Sequence, residues 1–199
     1  MSTLPAAHLT PAGERILAVA SELFYTRGIG AVGVELVAAE AGVTKKTLYD
    51  RFGSKAALVS AYLRVRDERW RAFLTGYVDE HGAGDPARRL LAAFDGLGAW
   101  MRQENHTPRG CGFVNASAEL TDPHHPGREA VLAQKHWVQE YLAELATATG
   151  VAAPGPLAAQ LLLLFEGACV AHGLGTDPDP TTTARTAAAT LLAAARGSG

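Results

Sequence analysis

Apolar residues recur along this chain at helical spacing, and alternating β-branched runs are missing, so the pattern predicts helices and no sheet. Ile16, Leu17, Ala20, Leu23 and Phe24 stripe one face of a first helix, with Thr10 as N-cap, Pro11 at its first position and Gly28 as its stop. A short helix follows from about Val34 to Ala41, closed by Gly42; Thr44 caps a third, Lys45 to Phe52, which Gly53 ends. Ser54 caps a much longer helix to about His81, with Leu58, Tyr62, Val65, Phe73 and Tyr77 on one side. At about 1.5 Å per residue it is roughly 40 Å long.

His81–Gly84 breaks that helix, and Asp85-Pro86 opens another carrying Leu90, Leu91, Phe94, Leu97 and Met101. Asn105–Gly112 reads as a loop, Phe113–Leu120 as a short helix, and Thr121–Gly127 as a second loop before a helix from about Arg128 to Thr149. Pro154 and Pro156 open an apolar helix ending near Gly173, and Asp177–Pro180 separates it from an alanine-rich helix, about Thr182 to Arg196. The tail 197–199 is expected to fray. The pattern gives an all-α fold, with three short helices leading into a bundle of longer ones.

Composition narrows the class. The 199 residues are 48% hydrophobic and 19% charged, which is globular rather than disordered. A net charge of −2 excludes a uniformly basic nucleic-acid coat, so an anionic partner must be gripped by a local patch. The two cysteines, Cys111 and Cys169, are too few for a disulfide scaffold and point to the reducing cytoplasm. The opening MSTLPAAHLTPAGERIL lacks a charged-then-apolar leader pattern. Pro156–Leu174 approaches membrane-span length, but Gln160, Glu166 and His172 interrupt it, so a buried helix is expected and no membrane partner.

The most informative stretch is VELVAAEAGVTKKTLYDRFGSK, Val34 to Lys55. Two short helices meet at Gly42, where a helix-turn-helix needs a residue tolerant of positive φ. Val37, Val43 and Leu48 are spaced to seal the unit against the first helix, and Ala38 is small where the two helices cross. The third helix opens on Thr44-Lys45-Lys46-Thr47, then Tyr49. Its N-terminal turn offers cations, hydroxyls and backbone N–H groups together, as a helix entering a DNA groove requires. Lys55, at the next helix start, adds a cation aimed at phosphate.

These residues resemble the tetracycline-repressor (TetR) family of transcriptional regulators over about Ala12 to Leu58. The likeness rests on LFYTRG, AAEAGV and TLYDRFGSKAAL, with Gly28, Ala38, Gly42, Val43, Leu48, Tyr49, Phe52, Gly53, Lys55 and Leu58 matching in order and spacing. The resemblance implies a DNA-binding head, residues 1–53, and a helical ligand-binding and dimerising body, 54–199. It places DNA contacts at Thr44, Lys45, Lys46, Thr47 and Tyr49, with Tyr49 and Lys55 mainly on phosphates and Arg51 as a further candidate. Two positions depart from it. Gly33 stands where the family often has Ser or Thr, and Asp50 where a basic or aromatic residue is common. Asp50 either accepts from a cytosine amino group or points to solvent, the second being favoured.

In the body, Arg109–Glu119 (RGCGFVNASAE) resembles a segment of one broad subgroup of these regulators, which does not fix a ligand. A ligand cavity needs apolar walls with few polar anchors. Candidate walls are Phe73, Phe94, Trp100, Met101, Phe113, Trp137 and Phe165; candidate anchors are Asn115, Glu166, His136 and His172. Each aromatic has packed core as its plainer reading, and Glu166, a carboxylate in an apolar helix, either binds something or lies on the rim. No cofactor or metal is expected, because Cys169 with His172, Cys111 and His124-His125 form no tight ligand pair. A metal- or thiol-sensing regulator of the same fold is the alternative, with Cys111 near Arg109 the better thiol candidate.

The last two helices carry more apolar surface than one face uses: Leu157 and Leu161–Phe165, then Ala184, Ala187, Ala188, Leu191 and Leu192. Two copies would make a four-helix interface, and a homodimer would address half-sites roughly 34 Å apart. The expectation is therefore a dimeric repressor of a palindromic double-stranded operator, released by a small-molecule inducer. A helical enzyme is not expected, since no nucleophile–base pair or phosphate-cradling glycine loop stands at recognisable spacing.

Overall fold

The computed structural model describes residues 9–104 and 109–197, which form helices joined by turns and loops, with no strand among them. The elements are α1 (Pro11–Arg27), α2 (Val34–Glu40), α3 (Lys45–Phe52), α4 (Lys55–Gly82), α5 (Pro86–Glu104), α6 (Gly112–Glu119), α7 (Pro126–Ala148), α8 (Pro154–Leu174) and α9 (Pro180–Gly197). Helices α7 and α9 begin two residues earlier than the apolar pattern predicts, each on a proline. Proline lacks an N–H that the first turn leaves unpaired anyway, and its φ is already helical. Gly112, expected in the loop, opens α6, while 109–111 are non-helical as expected; 105–108 of that loop lie outside the described residues, as do 198 and 199 of the tail.

Packing groups the chain differently from chain order. One compact unit holds the chain up to Glu68 together with Gly112–Leu132; the other holds Arg69–Cys111 together with Ala133 onward. Helices α4 and α7 each contribute residues to both units.

In the first unit α1, α2 and α3 pack on one another around Ile16, Val37 and Leu48, all fully buried, with Leu58 of α4 equally covered. Local chemistry sets the helix ends. The Thr10 hydroxyl accepts from Gly13 N–H at 3.3 Å, and Ser54 accepts from Ala57 N–H at 3.0 Å, each satisfying a first-turn donor. Gly42 takes φ +63° in the turn between α2 and α3, a conformation costly for any residue with a Cβ. Phe24 meets Tyr62 at 5.8 Å, and the buried Arg66 guanidinium lies 4.3 Å from the Tyr25 ring centre. Glu119, the last residue of α6, accepts a hydrogen bond from Gly30 N–H at 2.7 Å. A residue from late in the chain thus holds the corner between α1 and α2.

In the second unit α9 packs against both α8 and α5. Leu90 and Phe94 of α5, Leu74 and Val78 of α4, Leu142 of α7, Leu161 of α8 and Ala188 of α9 form its core. An aromatic chain runs through it: Trp100 lies 5.4 Å from Trp70, which lies 6.2 Å from Phe165, which lies 5.5 Å from Phe94. Arg185 of α9 donates to Asp95 of α5 at 2.9 Å.

The expectation of a buried α8 needs correction. It is the one described helix long and apolar enough to cross a membrane, yet only 33% of its apolar window is buried. Leu163 is 74% exposed and Leu174 72% exposed, with Val170 between them in sequence also open. One side packs inward through Leu157, Leu161, Phe165 and Cys169; the other is an apolar surface.

Candidate nucleic-acid interface

Thr44, Lys45, Lys46, Thr47 and Tyr49 all lie on the first turns of α3, and all but Thr47 are exposed. Thr44 caps the helix: its hydroxyl accepts from Thr47 N–H at 3.1 Å and is 2.9 Å from the Thr47 hydroxyl. Leu48 and Phe52 are buried, and these two anchors turn the remaining positions outward. Tyr49 is 39% exposed. Lys45 Nζ lies 5.8 Å from its ring centre. Arg51 is exposed further along α3, and Lys55 opens α4 half-buried.

The lysines have partners. Lys45 pairs with Glu35 of α2, and Lys46 with Asp50 one turn along α3 at 2.8 Å. The Glu35 carboxyl is held below its ordinary range, first by the hydrogen bond from Lys45, and the Lys45 ammonium is raised by the same bond. Asp50 is exposed, on the solvent side that the sequence reading favours, and there it pairs with Lys46. Lys46 keeps 84% of its side chain exposed, and surface pairs of that kind are worth only about 0–1 kcal/mol. A phosphate can take the carboxylate's place at little cost. Gly33 precedes α2 with no side-chain cap, so the hydroxyl common there in the family is missing.

The body candidates divide. Phe73, Trp100 and Phe165 belong to the second unit, where Phe73 lies 5.3 Å from Trp100; Phe165 is buried. Trp137 stacks on Tyr141 at 5.0 Å, with the Arg71 guanidinium 5.0 Å from its ring centre. Phe113 and Asn115 stand on α6 in the first unit, Phe113 buried. Met101 is buried in the second core and His136 is exposed. A surface hollow of about 290 Å³ between Ala18, Val19, Glu22, Leu23 and Glu40 holds none of these residues.

Glu166 is resolved by a residue the sequence reading missed. Lys135 of α7 donates to both its carboxylate oxygens, at 2.8 and 2.7 Å, and lies 3.7 Å from Cys111 Sγ. Burial depresses the Lys135 ammonium, but the neighbouring Cys111 and Glu166 outweigh it and hold the group above its ordinary range. Cys169 is buried beside them; its hydrogen bond to Cys111, and then its burial, push the thiol well up. Lys135 is thus a cation beside Cys111 to which the sequence did not point. Two further polar groups went unnoticed: Trp70 Nε1 and Gln134 Oε1 are buried with no hydrogen-bond partner among the described residues. Only the helical phase of Gln134 on α7 hinted at burial. Among the described residues no three His, Cys, Asp or Glu side chains gather to hold a metal ion, and His125 Nδ1 instead accepts Gly127 N–H at 3.0 Å.

A capped three-helix unit presenting a cationic helix start defines a helix-turn-helix DNA-binding protein with a helical body. Comparison with known proteins places it within that class. The family of bacterial regulatory proteins, tetR family, matches residues 16–62, and the tetracyclin repressor-like C-terminal domain matches residues 86–188. The HTH-type transcriptional regulator YjdC of Escherichia coli is 27% identical over 157 residues, covering 77% of this chain and 79% of YjdC. The solved structure of SCO4454, a TetR-family regulator from Streptomyces coelicolor, shares 31% identity with a TM-score of 0.77, covering 94% of this chain and 95% of that one. A TetR-type regulator of Streptomyces avermitilis (sav143) shares 31% identity at TM-score 0.79, covering 94% and 98%.

The chain belongs to the TetR family and is a DNA-binding helix-turn-helix transcription regulator. Regulators of this family bind DNA and small-molecule ligands and act as dimers.

Proposed function

We propose that the protein is a cytoplasmic, dimeric repressor that binds a palindromic operator through residues 1–53 and is released when a small molecule occupies its body, 54–199. The observation that carries this reading is the α3 start: Thr44, Lys45, Lys46, Thr47 and Tyr49 are gathered on one capped turn, with Arg51 and Lys55 nearby. In the major groove, Lys45, Lys46 and Thr47 would meet base edges or backbone, while Tyr49, Arg51 and Lys55 hold phosphates.

The outward side of α8 supports a second copy, since Leu163, Val170 and Leu174 form an apolar surface on a helix already packed inward, and such surfaces mark interaction sites. The orphan Trp70 N–H and Gln134 carbonyl support an inducer. Each costs on the order of 1–3 kcal/mol unpaired, and a ligand with complementary groups among Phe73, Trp100, Trp137 and Phe165 would recover that. In the first unit, Phe113 and Asn115 are the remaining candidates for ligand contact.

The test is anisotropy titration on duplexes selected from a random library. Selection is expected to return palindromes whose binding weakens steeply with salt. Lys46→Ala should lower the salt slope by about 1, and Lys45→Ala and Tyr49→Phe should weaken binding with the fold intact. Wild-type affinity and salt slope in all three overturns the assignment of this surface to DNA.

A further inference from the structure

Cys111 and Cys169 come together from distant parts of the chain, and backbone geometry holds them there. Gly110, at φ +65°, lies so close to α8 that a Cβ on it would fall 2.8 Å from the Cys169 carbonyl oxygen and 3.1 Å from Gly173 Cα. The segment before α6 is thereby pressed onto α8 at Cys169, and the two side chains hydrogen-bond to each other. Their surroundings differ. Cys111 is half-buried, with Lys135 Nζ 3.7 Å from its sulfur, whereas Cys169 is 5% exposed.

We infer that Cys111 and Cys169 form a peroxide-responsive dithiol, in which Cys111 is oxidised first and Cys169 then closes an intramolecular disulfide. The Cys111 sulfur attacks the outer oxygen of a hydroperoxide. The O–O bond breaks, an S–O bond forms, and the peroxide leaves reduced as water or an alcohol. Lys135 supplies the positive neighbour that a negative sulfur needs at that moment. The Cys169 sulfur then attacks the Cys111 sulfenic acid, its proton leaving with the hydroxyl as water, and a dithiol reductant restores both thiols. Cys169, buried and held protonated, leaves the first attack to Cys111.

The consequence reaches the DNA-binding elements through α6. That helix starts one residue after Cys111 and ends on Glu119, whose carboxylate holds Gly30 N–H at the α1–α2 corner. Drawing Cys111 onto Cys169 by a covalent bond shifts the start of the helix whose other end carries that hydrogen bond. The disulfide is therefore expected to weaken DNA binding, a consequence that rests on the regulator reading above.

The experiment treats the full chain with hydrogen peroxide, then reads thiol labelling, intact mass and affinity for a selected duplex. The expected result is loss of both labelled thiols with loss of two hydrogens, and affinity lower by about tenfold, all reversed by dithiothreitol. Cys169→Ser should stop at a Cys111 sulfenic acid trapped by dimedone, and Cys111→Ser should leave Cys169 unreacted. Oxygen addition without the two-hydrogen loss, or a bond between two chains instead, overturns the dithiol. Disulfide formation with unchanged affinity overturns the switch. Reduced protein that binds no duplex defeats the regulator reading instead, leaving the wild-type mass result to judge the sulfur chemistry.

Discussion

One ion pair of the first unit lies open to water, and one of the second is largely covered. Lys46 and Asp50 pair at 84% and 56% side-chain exposure, whereas Lys135 and Glu166 pair at 25% and 26%. The open pair is worth little because water serves each charge nearly as well. The covered pair is weak as a source of stability but hard to split, since removing one partner strands the other where water reaches it poorly. A surface meant to exchange partners thus uses the first arrangement, and a cluster meant to stay assembled uses the second.

The sharpest test of that contrast is Lys135→Met. It leaves Glu166 without its donor and is expected to lower unfolding free energy in urea by about 1–3 kcal/mol, with Lys135→Met/Glu166→Gln recovering part of the loss. No change in either variant would show that the covered pair behaves like an exposed one.

Asp179 asks whether exposure or unit decides. It is exposed in the second unit, and its carboxylate accepts from Thr182 N–H at 3.2 Å at the start of α9. Bonds from Thr182 hold its carboxyl below the ordinary range. With the folded value depressed, its contribution is fully present above the unfolded range near about 3.9 and is lost as pH falls through the folded value. Asp179→Ala is expected to cost about 1 kcal/mol at neutral pH, shrinking on acidification; a cost independent of pH would refute the assignment.

The smallest effect belongs to Asp50→Asn. Stability should move by about 0–1 kcal/mol, and DNA affinity should hold or rise as Lys46 is freed. A clear fall in affinity confined to one base position would instead make Asp50 a reader of cytosine.

The same contrast explains what the sequence made legible. Every candidate DNA contact lies between Thr44 and Lys55, where spacing, caps and buried anchors are local properties, and α3 runs from the residue to the residue that the pattern predicts. The body cluster joins residues 111, 135, 166 and 169 from a loop and two helices. Helical periodicity tells which face a residue occupies but not what faces it, so Lys135 carried no signal, and Arg109, two residues from Cys111, was the cation the sequence offered. The surplus of apolar positions on α8 was legible as well, though which of them stay open was not.

The hydrogen bond from Gly30 to Glu119 bears on how such regulators are engineered. A transplant that cuts the chain after residue 53 and splices it to a foreign sensor carries away α1, α2 and α3 but leaves their clasp behind. The corner amide then loses its carboxylate, and the cut surface of the first unit loses Gly112–Leu132 altogether. A chimaera that keeps this reader's shape needs α6 to travel with it.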